Sequence, residues 1–190
     1  MRKWANGIWP MVLVVTGCWC GPTADAAEPL SLSSEVIRLR PAKVGGCPPV
    51  ITAVRLQPGG RFLVMAGDDH VVRVWDTRQR RLARELRGHR DWVGTAAFSP
   101  DGRWLATAGN DHRVILSDLL NEQPPVVLAV TGCAVTNVQF SHDGQLLAVV
   151  GFESSLRLYR TATGRLWRSL NCPCGDMRAI AFSPDDRWLA

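Results

Sequence analysis

Six cysteines, four histidines and a run of arginines are the residues that could do chemistry in this chain of 190 residues. Cys172-Pro173-Cys174 lacks the two-residue spacer of zinc knuckles and of covalent haem attachment, so no metal or other cofactor is expected there. A disulfide is the favoured use, joining Cys133 to Cys172 or Cys174 and leaving Cys47 without an obvious partner. His70 and His112 stand 42 residues apart beside Asp68, Asp69 and Asp111, which makes a cation site conceivable, but the Gly/Asp-rich surroundings favour turn residues. Arg78, Arg80, Arg81, Arg84 and Arg87 form a basic run without interleaved aromatics, which argues for a solvated strand and against a nucleic-acid face. No Gly-x-Ser-x-Gly, phosphate-cradling loop, His-Glu-x-x-His or convincing carboxylate pair is present, and the chain is expected not to be an enzyme.

These residues are held by a repeat. Leu56, Phe98, Phe140 and Phe182 follow one another at a constant spacing of 42 residues. The turns Pro58-Gly59-Gly60, Pro100-Asp101-Gly102, His142-Asp143-Gly144 and Pro184-Asp185-Asp186 keep the same step. A period of about 40–45 residues with short strands is that of a propeller blade. In the clearest copy the strands are expected at 92–99, 103–109, 113–118 and 125–130, and no useful amphipathic helix follows from the pattern. Repeat register places Cys47, Cys133, Cys172 and Cys174 in loops entering a blade, on one rim with His89, His70 and His112.

Gly88-His89, Phe98-Ser99-Pro100-Asp101-Gly102, Leu105-Ala106-Thr107-Ala108-Gly109 with Asp111, and Val74-Trp75-Asp76 resemble the WD40-repeat family. The resemblance covers residue 50 to the end and implies an all-β fold, a partial propeller of four-stranded antiparallel sheets, with repeats at 50–91, 92–133, 134–175 and an incomplete 176–190. In that family a His, a Ser or Thr, an Asp and a Trp can form a hydrogen-bonded tetrad within a blade. Here His89, Thr107 and Asp111 supply three members, with Ser117 in place of the Trp. The first blade has Asp69 and Trp75 but Cys47 and Met65 in the other two places, and the third offers only Glu153 and Tyr159. No blade has the whole set, which puts stiffening by that network in doubt. Trp104 and Trp188, two periods apart, imply a repeated packing role over a ligand cage.

Arg2-Lys3, the apolar run 8–20 and Ala24-Asp25-Ala26-Ala27 have the three parts of a secretory signal peptide, 1–26, cleaved before Ala27. Val15-Thr16-Gly17-Cys18 also resembles a lipobox, which would anchor the chain through an acylated Cys18. Either route puts the domain outside the cytoplasm, periplasmic or secreted, with no transmembrane segment in the mature chain. Residues 27–49 read as a linker in which 35–40 alternate well enough for one strand; the family resemblance implies a strand there that closes the ring, and a strand-like linker is the alternative. Closed propellers have roughly 4–8 blades, and Leu189-Ala190 aligns with Leu105-Ala106, in mid-strand, so a truncated piece of a longer protein is expected.

The reading is a non-catalytic interaction scaffold for a protein or peptide partner, with no nucleic acid. The alternative is a propeller module of a larger exported enzyme or haem protein whose catalytic part lies beyond residue 190.

Overall fold

The computed structural model describes residues 49–121, 123–172 and 175–190. The signal peptide 1–26 with Cys18, nearly all of the linker 27–49, Cys47 and Cys174 lie outside the described residues.

Twelve strands follow in chain order: β1 (Ile51–Leu56), β2 (Phe62–Gly67), β3 (Val72–Asp76), β4 (Arg81–Leu86), β5 (Val93–Phe98), β6 (Trp104–Gly109), β7 (Arg113–Asp118), β8 (Val126–Val130), β9 (Val135–Phe140), β10 (Leu146–Gly151), β11 (Ser155–Arg160) and β12 (Leu166–Asn171). They pair as three antiparallel sheets of four, each in sequential order. Among the described residues there is no helix, and none long and apolar enough to cross a membrane. The first strands of neighbouring sheets lie side by side, β1 by β5 and β5 by β9: Thr52 Oγ1 donates to Val93 O at 2.5 Å, and in the same register Thr136 Oγ1 of β9 donates to Met177 O of the fourth repeat at 2.6 Å. Gly94 holds the same register in β5 and has no hydroxyl to give.

Apolar side chains on both faces of a strand demand a covering layer on each side. The second strands β2, β6 and β10 answer to this with an identical pattern, buried at every position after the first. One core joins blades one and two through Val64, Val74, Val93, Leu105 and Leu119. A second joins blades two and three through Val114, Leu116, Phe140, Leu147 and Tyr159. A third carries Ile180 and Phe182 of the fourth repeat against Val150 and Leu158.

Each second strand ends on glycine for a steric reason. A Cβ on Gly109 would lie 1.9 Å from Trp92 O, and one on Gly67 would lie 2.0 Å from Val50 O. The carbonyl of the entering loop can approach only where no side chain stands.

The Ser-x-Asp-Gly turn explains its own composition. Ser99 Oγ donates to Asp101 Oδ1 and accepts the Trp104 N–H at 2.8 Å, while Gly102 adopts φ of 71°. Ser141, Asp143, Leu146 and Gly144 repeat the arrangement. Trp104 packs against the core shared with blade three. Trp188, at the equivalent position of the fourth repeat, is 73% exposed. The expected common packing role therefore does not extend to it, since no described strand stands beside it to cover the ring.

Candidate functional site

The turns between second and third strands each place one carboxylate at the same register: Asp69, Asp111 and Glu153. In blade two, His89 Nδ1 lies 2.9 Å from Asp111 Oδ2 and His89 Nε2 lies 2.9 Å from Thr107 Oγ1. Asp111 also accepts the N–H of Arg90 at 3.0 Å and of Arg113 at 3.1 Å. The His89 and Asp111 side chains are only 2% and 3% exposed. These partners fit a neutral imidazole that donates from Nδ1 to the carboxylate and accepts the Thr107 hydroxyl at Nε2.

Burial pushes the His89 pKa below its ordinary value, with Asp111 opposing and Arg113 and His70 adding to the depression. In the window between that lowered value and the unfolded 6.5, the unfolded chain holds more protons than the folded one. Stability is then full above about pH 6.5 and is lost as pH falls below it. Urea unfolding across that window should show this loss in the wild type and a flatter profile in His89→Gln.

Blades one and three lack the loop histidine, yet their carboxylates are paired too. Arg73 Nη1 lies 2.5 Å from Asp69 Oδ2, with side chains 7% and 2% exposed, and Arg73 Nε lies 3.9 Å from Glu85 Oε1. Asp69 Oδ2 and Arg73 Nε have no directed hydrogen bond, so this is an ion contact at low solvent access and not a well-aligned fork. In blade three Nη1 and Nη2 of Arg157 both reach Glu153, the Nη2–Oε2 contact at 3.1 Å. Arg73 and Arg157 occupy one register position of the third strand, and Ile115 fills it in blade two. A cation from the strand thus stands in where the loop imidazole is missing. Trp75, expected beside Asp69 in such a network, is placed outside it: its Nε1 is buried without a partner, because Met65 offers no hydroxyl.

The family model for the WD domain, G-beta repeat, matches residues 43–76, 80–118 and 126–160. The chain belongs to the WD40-repeat family.

In this WD40 protein the turns joining first to second and third to fourth strands share one rim, which we call the Ser-Asp-Gly rim after its turns. The carboxylate-bearing turns and the loops that enter each blade form the opposite rim. His70 and His112 stand in those carboxylate-bearing turns with φ of 62° and 64°, as turn residues. Among the described residues no three His, Cys, Asp or Glu side chains are grouped to hold a metal. The expected bridge from Cys133 is not formed: Cys133 is a free thiol, whereas Cys172 is disulfide-bonded. Cys133 is the other described cysteine, so the partner of Cys172 lies outside the described residues. In the same loop Thr131 N donates to His112 O at 2.7 Å, and Thr131 Oγ1 lies 2.6 Å from Cys133 O. Sequence reasoning passed over Arg73 and Arg157, although their shared register beside an acidic residue four positions earlier was a readable signal.

Two aromatic side chains stand exposed on the rim of the carboxylate-bearing turns, Trp92 in the loop entering blade two and Phe152 in the turn of blade three. The Arg178 guanidinium lies 5.6 Å from the Phe152 ring centre, within cation–π range. On the Ser-Asp-Gly rim, Arg103 binds Asp118 Oδ2 through Nε at 3.0 Å and Nη2 at 2.8 Å. Burial raises the Asp118 pKa, but Arg103 and the Asn121 and Leu120 donors outweigh it and hold the carboxyl well below the usual range.

Proposed function

We propose that the chain is a non-catalytic scaffold that binds a protein or peptide partner outside the cytoplasm, through the rim of its carboxylate-bearing turns. The observation that carries this is the exposure of Trp92 and Phe152 beside turns whose carboxylates are paired, Asp111 buried with His89 and Glu153 partly exposed with Arg157. Large aromatic side chains are the strongest anchors of protein interfaces, and loops already ordered lose little entropy on binding. Export is supported by the basic, apolar and small-residue segments of 1–26 and by the disulfide at Cys172, a bond that persists in oxidising compartments.

A photo-crosslinking residue placed at position 92, 152 or 126 in whole cells tests both parts. The expected result is discrete protein adducts from 92 and 152, recovered outside the cytoplasm, and none from 126, which lies exposed on the outer strand β8. Adducts from 126 alone, or adducts confined to the cytoplasm, would contradict the reading.

A further inference from the structure

Trp92, one of the two anchors of the proposed rim, ends the loop 88–92, and that loop is fastened to blade two along its length. His89 lies between Asp111 and Thr107, and the Arg90 N–H donates to Asp111 Oδ2 at 3.0 Å. Arg113 Nη1 donates to Gly88 O at 3.4 Å, and Trp92 O accepts the Asn110 N–H at 2.9 Å. The imidazole and the Arg90 amide converge on the same oxygen, Asp111 Oδ2, so what disturbs the ring also disturbs the backbone beside Trp92.

This arrangement suits only a neutral imidazole. A proton on His89 Nε2 would point at Thr107 Oγ1, whose own proton would then lack an acceptor: Thr107 is 2% exposed, and its hydroxyl has no other partner among the described residues. Charged and titratable groups act on the ring from each element around it: Asp111 from the turn between β6 and β7, Arg113 from β7, and His70 from the turn between β2 and β3. Burial is the largest effect and opposes the imidazolium, Asp111 favours it, and Arg113 and His70 oppose it. A loop that opens and hydrates the ring therefore takes up a proton more readily than the closed one.

Phe152, the other anchor, is held without an imidazole. Its N–H donates to Ala134 O at 3.1 Å, the counterpart of the bond from Asn110 to Trp92, and the adjacent Glu153 pairs with Arg157. Between about pH 5 and pH 8 histidine is the side chain whose ordinary pKa lets it change charge, so mild acid acts on the lock of blade two and spares that of blade three.

We propose that mild acid opens the loop 88–92 and withdraws Trp92 from the rim, releasing a partner from blade two while Phe152 keeps its place. Release rests on the proposed scaffold reading, whereas opening of the loop is a property of the chain by itself. Below the ordinary 6.5 the open loop is charged before the closed one, so its population rises by up to about tenfold per pH unit.

The test is hydrogen exchange of the full chain at the Arg90, Asn110 and Phe152 amides, at about pH 7.5 and about pH 5.5, corrected for the intrinsic pH dependence of exchange. Protection at Arg90 and Asn110 should fall by up to about tenfold in acid, and protection at Phe152 should hold. In His89→Gln, protection at Arg90 and Asn110 should be the same at both pH values. The double variant His70→Asn and His112→Asn, whose new residues tolerate the positive φ of these turns, should still respond to acid. Arg90 protection unchanged by acid, an equal fall at Phe152, or a response lost when His70 and His112 are replaced would overturn the switch. Crosslinking yield from position 92 should fall severalfold at the lower pH while that from 152 holds, and undiminished yield from 92 would overturn the release. Absence of adducts from both positions at the higher pH would instead defeat the scaffold reading and the release with it, and the amide rates would still decide the opening.

Discussion

Replacing Arg73 with Met should destabilise the fold by about 3–5 kcal/mol, the range for stranding one member of a buried ion pair. Asp69 would be left 2% exposed with no cation beside it, because Glu85, the other charged group near Arg73, is also acidic. The second substitution Asp69→Leu should recover most of the loss, since an apolar pair of similar volume is often no worse than a buried ion pair. Denaturant unfolding of the single and double variants measures both steps. Arg157→Met should cost less: Glu153 and Arg157 are 21% and 24% exposed, so water can solvate the carboxylate left behind. Equal losses at the two sites would mean that burial does not set the energy of these pairs.

Leu105→Ala should cost about 2–5 kcal/mol. Leu105 has no exposed surface, and it belongs to the core that joins the first two blades, so the cavity would open at a junction that neither sheet can close alone. Leu166→Ala removes the same atoms from the outer strand β12, where the side chain is half exposed, and should change stability by no more than about 0.5 kcal/mol. A comparable loss at both positions would show that the junction core does not hold the blades together.

The strand order was legible because the repeat supplies it three times over: the strands of blade two fall within one residue of the sequence reading at each end. The His89, Thr107 and Asp111 constellation was legible because the family motif fixes its spacing. What escaped is the replacement of one partner by another. A search for His at the loop position finds Cys47 and Thr131 and stops, while the carboxylate requires only some donor beside it, which Arg73 and Arg157 deliver from a different strand. The cysteines escaped for another reason. Shared register put Cys133 and Cys172 on one rim, but a disulfide depends on separation and direction, which register does not give.

The central claim is that carboxylates lock the turns of the binding rim, each through a partner particular to its blade. Native-state hydrogen exchange at two turn amides tests it most directly: Val71 N–H, which Asp69 Oδ1 accepts at 3.3 Å, and Arg113 N–H, which Asp111 Oδ1 accepts at 3.1 Å. Both should exchange slowly in the wild type. Arg73→Met should speed exchange at Val71 and leave Arg113 slow, whereas His89→Gln should do the reverse. Fast exchange at both amides in the wild type, or variants that leave both rates unchanged, would contradict the account.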